Sequence, residues 1–370
     1  MIFKCQTQDL LNAVNKTSKV INKTTVMPIL SRVLIQSEDN FLKLRGTDLG
    51  STIDTIIEAE IIENGATTMD VKIFSEILNS LGEAEMEFAS DKDEEYINIT
   101  CNRAKFIIQN SITSDSYPTL DEVNKEEFIS IERDLLKKGI ELTKFSTSSD
   151  DMGKEFLTGI HLQTEDMSLK FTSTDNHRLS IFTCPIVEKT MDINAIIPAT
   201  SAEMISKLLD EPGDTIKLYF TRNSISTNVD NSEYYGRLIE SNYPDIRRVI
   251  PTDFNTSVIL DRDNIYAALK RMEVASRENS YRAIFSTNDT SFAMSAENKE
   301  HSIKVTEEVD MVCEGVSVAM GVNVRYMKEA IERMNSEKIE IKIVSADRAF
   351  IIKMYGDDDF VHVLMPISIN

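Results

Sequence analysis

The chain has 370 residues, 41% of them apolar, with 40 Lys and Arg against 61 Asp and Glu, a formal net charge of −21. That length suits two or three domains with real cores, and the acidity excludes a surface that grips phosphate everywhere, so a nucleic acid has to meet a local basic patch. Cys5, Cys101, Cys184 and Cys313 form no close pair, which excludes a zinc ribbon, a CxxC redox site and a disulfide scaffold. With no signal-like start and no apolar run of membrane length, the expectation is a cytoplasmic protein without membrane contact.

From the N-terminus, the alternation of residues 2–6 predicts a short strand. It runs into a helix whose apolar positions Leu10, Leu11, Val14, Thr17 and Ile21 fall near one face. Residues 35–48, IQSEDNFLKLRGTD, read as strand, turn and strand, and a second helix is expected over 73–81. The same order then returns. LQTEDMSLKFTSTD at 162–175 matches 35–48 in register at an offset of 127 residues, and FSTNDTSFAMSAEN at 285–298 is a weaker third copy. Helix openings at Asp9, Asp134 and Asp263, second helices over 201–209 and 324–334, and the Tyr-Pro pairs ending at Pro118 and Pro244 keep nearly the same step. The chain therefore reads as three homologous α+β domains, 1–127, 128–253 and 254–370, each with antiparallel sheets and two helices. The first two helices start 64 residues apart, which hints that each domain is itself two similar halves.

The first helices of the three domains, read as residues 8–23, 132–144 and 262–277, sum to +5, leaving −26 for everything else. Lys and Arg are ordinary residues on a solvated helix face. At three equivalent positions they also form one mildly basic surface able to face a polyanion without gripping it. The residues that would do so are Lys16, Lys19, Lys23, Lys137, Lys138, Lys270 and Arg271.

Enzyme chemistry has little support. The twelve glycines form no GxG or phosphate loop, His161, His177, His301 and His362 are far apart, and no HExxH or CxxC occurs, so no metal or cofactor is expected. Asp150 and Asp151 sit in a polar run without a third ligand nearby and read as a solvated loop. One cluster imitates a reactive site: Thr174-Asp175-Asn176-His177-Arg178-Leu179 puts an acid, an imidazole and a guanidinium in one turn. Asp175 corresponds to Asp48 of the first domain, which makes the acid part of the turn chemistry, while His177 and Arg178 belong to the second domain alone. A small-molecule enzyme built on Asp175 and His177 is the alternative to a binding surface.

STDNHRLS at 173–180, FLTGIHL at 156–162, YPDIRRVIP at 243–251 and VLMPI at 363–367 are all present. Together with the threefold repeat they make the whole chain resemble the bacterial sliding clamp, the beta subunit of DNA polymerase III. The resemblance implies the DNA-clamp fold, closed head to tail into a dimeric ring of six similar domains with the basic helices lining the hole. It also implies a non-catalytic processivity factor that encircles double-stranded DNA without sequence preference. The implied partners are the replicative polymerase alpha subunit, the clamp-loader delta subunit and other proteins carrying a clamp-binding peptide.

By the same resemblance that peptide docks in a groove between the second and third domains, formed by Leu157, Thr174, His177, Arg178, Leu179, Pro244, Arg248, Val249, Val363, Leu364, Met365 and Pro366. Apolar members would accept Leu or Phe anchors and the two arginines would bond polar groups. The ring contact would pair Phe106 and Ile108 with Met272, Val274 and Ala275. Three positions depart from the family: Asn176 replaces a frequent Gly, Thr24 a frequent Arg, and the chain ends Ile-Ser-Ile-Asn instead of on a basic residue.

Overall fold

The computed structural model describes residues 1–21, 25–91, 93–119, 125–150, 153–209, 213–288, 290–298 and 300–369. Among them are six α-helices: α1 (Thr7–Thr17), α2 (Val71–Leu81), α3 (Arg133–Lys144), α4 (Ala199–Leu208), α5 (Arg262–Ser276) and α6 (Val324–Arg333). Each begins directly after a short strand, such as Ile2–Gln6 before α1 and Ala66–Asp70 before α2. The strand-then-helix unit thus occurs six times, and each domain repeat is two such halves. The junction residue caps the helix where its chemistry allows. Asp70 accepts from the amides of Lys72 and Ile73, Asp261 from Asn264 and Asn323 from Tyr326.

The helix opening the chain is shorter than its sequence suggests. At its end the Thr17 hydroxyl bonds the carbonyls of Ala13 and Val14, the Ser18 amide makes the last helical bond, to Val14, and the amides of Lys19 and Ile21 make tighter turn-type bonds. Val20 and Ile21 then enter the core as turn residues rather than as a further helical turn. Lys19 therefore stands past the helix, and Lys23, Thr24 and Asp151 lie outside the described residues.

The chain divides into two compact units, one of Met1–Arg133, Val187–Met191 and Glu203–Leu238, the other of Asp134–Ile186, Asp192–Ala202 and Ile239–Asn370. The first holds a five-stranded and a nine-stranded sheet, the second a twelve-stranded sheet, and neighbouring strands run antiparallel throughout the described residues. In the first unit, α1 and α2 pack with the strands around a core that includes Phe3, Leu10, Val14, Phe74, Leu78 and Phe88.

The long sheets form because a strand of one repeat joins a strand of the next. In the first unit Ser51–Glu58 pairs with Ser232–Arg237, with Thr52 opposite Tyr235 and Asp54 opposite Glu233. In the second, Arg178–Pro185 pairs with Phe360–Leu364, with Leu179 opposite Val363 and Ile181 opposite Val361. These two seams are equivalent in the repeat. Two strand edges at corresponding places carry no such partner: Ala104–Gln109 ends the five-stranded sheet, and residues 303–310 of the Ile303–Gly315 strand pair only with Ser291–Asn298.

Candidate functional site

The turn at Asp175 is a repeated part. The Asp175 carboxylate accepts from the amides of His177 and Arg178, both at 3.0 Å, as Asp48 accepts from Gly50 and Ser51 at 2.9 and 2.6 Å, and Asn298 from His301 at 3.0 Å. Thr174 donates to the Arg178 carbonyl as Thr47 does to that of Ser51. Leu49 and Asn176, one residue after the acid, both take left-handed backbone angles, φ 75° and 72°; Asn tolerates this and stands in for glycine here. The second Asp175 oxygen accepts from Arg178 Nε at 2.9 Å. Both oxygens are engaged by the turn and its arginine, three bonds in all, so Asp175 is built into the local structure, which weighs against the acid–base alternative. Among the described residues no group of His, Cys, Asp or Glu is placed to hold a metal.

Arg178 is 8% exposed. Besides Asp175, its guanidinium bonds Glu329 of α6 at 2.5 Å and the Phe145 carbonyl at 2.6 Å, and it lies 4.2 Å from the centre of the Tyr326 ring. Burial pushes the Glu329 carboxyl up, but the guanidiniums of Arg178 and Arg325 more than offset this and hold it below the usual range. Arg178 thus has a structural role beside the one expected for it in the groove. Three of its five N–H donors are committed to the chain itself, and it joins the strand of the second repeat to the last helix of the third.

Strand alternation splits the remaining seam residues between two faces. On one lie Leu179, Ile181, Ile351 and Val363, forming an apolar cluster onto which Ile246, Ile250 and Phe254 pack. On the other lie Ser180 and His362, paired across the seam, with Ser180 Oγ 2.9 Å from His362 Nδ1 and 2.7 Å from Ser146 Oγ. His362 is wholly buried and stacks on Phe145. Burial, then the nearby Arg178 charge, drives its pKa down to about 3.

Leu157 and Leu364 are fully buried and belong to the core rather than to an accessible wall. Met365 and Val249 are about half exposed, and Thr174, His177, Pro244, Arg248 and Pro366 reach the surface around the cluster. Tyr326, whose ring lies 6.5 Å from that of His177, Glu329, Ile181 and Ile351 join the site unpredicted. They come from elements distant in sequence, and only the strand register brings them in.

The equivalent seam in the first unit has opposite chemistry. The positions of Leu179, Ile181, Val361, Val363 and Ile351 are taken there by Thr52, Asp54, Glu233, Tyr235 and Ser226. Asp54 is buried, paired with Nε and Nη2 of Arg45, each at 2.7 Å, and with Lys43 at 3.2 Å. Three polar side chains and two carboxylates replace an apolar floor, so only one of the two seams offers apolar anchorage.

On the helices, Lys138 and Lys270 are exposed, their ammoniums 5.2 and 4.4 Å from the Phe182 and Tyr266 rings. Lys16 bonds the neutral Asn231 amide oxygen at 2.8 Å and Lys19 the Lys207 carbonyl at 2.9 Å. Lys137 is half-buried. Arg271 is paired with Glu307, with bonds of 2.5 and 2.9 Å, which offsets its charge locally. Met272 and Ala275 are fully buried in their own unit, which removes them from any interface; Val274, on the other side of α5, is 57% exposed.

The family models for the N-terminal, central and C-terminal domains of the DNA polymerase III beta subunit match residues 1–121, 130–245 and 247–368. The chain belongs to the DNA polymerase III beta subunit family. Beta sliding clamps of Staphylococcus epidermidis and Staphylococcus aureus are each 26% identical to it over 377 aligned positions, covering 99% of both chains. The crystal structure of the Bacillus subtilis DNA polymerase sliding clamp superposes with a TM-score of 0.95 at 26% identity over the whole of both chains. The beta chain from Streptococcus pneumoniae gives 0.93 at 27% over 99% of each. The family is a non-catalytic processivity factor, in keeping with an Asp175 spent on a turn. No helix of the described residues is long and apolar enough to cross a membrane.

Proposed function

We propose that two copies of this chain close head to tail around double-stranded DNA and hold a replicative polymerase to it through a short peptide docked on the apolar seam. The pair of open strand edges supports this reading most. Within the chain the repeat makes its seam twice, and the edges of Ala104–Gln109 and residues 303–310 are what a third seam lacks. They lie on different strands, so one chain's first edge meets another chain's second, and two copies give six equivalent seams in a closed ring. By seam geometry Phe106 and Ile108 face Ile303 and Val305, which take the place expected for Met272 and Ala275; Val274 stays beside them. Lys16, Lys19, Lys137, Lys138 and Lys270 would attract phosphates weakly, letting the ring slide while topology retains it.

The peptide's Leu or Phe anchors would contact Leu179, Val363, Met365 and Val249, with Thr174, His177, Pro244, Arg248 and Pro366 around them. The polymerase alpha subunit and the clamp-loader delta subunit are the partners proposed to carry such peptides, in the cytoplasm at the nucleoid. The test measures mass by light scattering at several dilutions, and retention on nicked circular DNA after loading, before and after the circle is linearised. A dimer that stays on circles and leaves linear ends supports encirclement. A monomer, or retention indifferent to free ends, overturns it.

A further inference from the structure

After Pro366 the chain does not simply trail away. The Met365 amide donates to the His177 carbonyl at 3.0 Å, the Ile367 amide to the Gly321 carbonyl at 2.8 Å, and Arg282 Nη1 to the Ser368 carbonyl at 3.1 Å. The last residues are thus stitched from the Asp175 turn on one side to the Ala319–Asn323 strand on the other, and that strand is the outermost of the twelve-stranded sheet. Gly321 and Ile367 form an isolated antiparallel bridge. The bridge depends on a missing side chain. A Cβ at position 321 would fall inside the contact distance of the Ile367 carbonyl oxygen, a backbone atom that cannot swing aside. Gly321 itself is buried, yet it is no member of the apolar cluster at the seam.

We infer that Gly321 is a positioning residue for the peptide site. Its bare backbone lets residues 365–368 lie along the sheet edge as a strap, and the strap holds Met365 and Pro366 in the wall of the groove. The bonds to His177 and Gly321 are made by the amides of Met365 and Ile367, two residues apart, so fixing both ends fixes the exposed Met365 side chain, which has three rotatable bonds and little else to orient it. Holding it in advance spares an arriving peptide the ordering cost. Arg282 secures the strap beyond the bridge, and its removal should loosen the end without dislodging Met365. The inference rests on the groove reading proposed for this seam.

The experiment uses the full chain and a fluorescein-labelled peptide carrying adjacent Leu and Phe. In Gly321→Ala the Ile367 amide should exchange with solvent freely while the amides of residues 360–364 stay protected, and peptide affinity should fall about tenfold. Arg282→Ala should leave affinity within about twofold of wild type. The deciding measurement is a double-mutant cycle with Met365→Ala. If Gly321 acts by placing Met365, Gly321→Ala costs nothing further once Met365 is gone. Additive losses, or wild-type affinity in a Gly321→Ala protein whose strap is free, overturn the proposal. A wild-type chain that binds the peptide no better than a Val363→Asp chain overturns the groove reading, and the positioning role with it.

Discussion

Acidification tests the hidden side of the apolar seam. His362 is wholly buried between Ser180 and Phe145, with its pKa at about 3, whereas in the unfolded chain it returns to about 6.5. Between those values the unfolded chain binds a proton that the folded chain refuses, so stability contributed above pH 6.5 is lost as pH falls. From pH 7 to pH 5 the loss from this one group is about 2 kcal/mol. The perturbation is His362→Asn, which keeps a partner for Ser180 and does not titrate. Urea unfolding followed by circular dichroism at pH 5, 6 and 7, at one protein concentration, gives the pH slope of each protein. His161, also held down by burial, titrates in both and cancels in the comparison. The wild type should lose about 2 kcal/mol more than the variant over this interval. Equal slopes would refute the reasoning, because they would mean that water or a partner reaches the imidazole in the folded state.

Arg178→Gln should lower stability by about 3 kcal/mol, since it leaves Asp175 and Glu329 partly buried beside a neutral amide; a side chain that only served a peptide would leave the urea midpoint unmoved. Phe106→Asp should raise the dimer dissociation constant by about a hundredfold or more, through an unpaired charge in the edge-to-edge contact, as read by sedimentation. Lys138→Glu combined with Lys270→Glu should preserve the dimer mass yet shorten products of primer extension. It should also flatten the dependence of DNA association on salt, lowering the logarithmic slope by about one for each phosphate that is no longer neutralised. An unchanged product length would remove the basic face from the mechanism.

The threefold plan was legible because turn chemistry leaves fixed letters: Asp48, Asp175 and Asn298 stand at matching places and accept the same amide three residues on. The helices were legible by period, and their ends were not. The turn after Thr17 depends on a side-chain bond to the backbone, which no hydrophobic pattern records. Sidedness failed for the same kind of reason. Met272, Val274 and Ala275 are neighbours in sequence, but helical rotation buries the first and last and exposes the middle one. Arg178 was recognisable as a site residue, but its partners Glu329 and Phe145 arrive from other elements, so the sequence carried no sign of its structural bonds. Likewise Ile351 and Val361 joined the apolar row only through strand register, which is set by the assembled sheet.

The contrast between the charged first seam and the apolar second one sets a stoichiometry. On the proposed docking of the peptide at the apolar seam, a chain with one usable anchorage gives a two-chain ring two berths, for which every protein bearing the peptide would compete. Which enzyme works at a given moment then follows from local concentration divided by dissociation constant, so weak, fast-releasing peptides allow exchange and a tight one would block it. Had Asp54 and Glu233 been apolar, four berths would have let several enzymes ride together and removed the need to take turns.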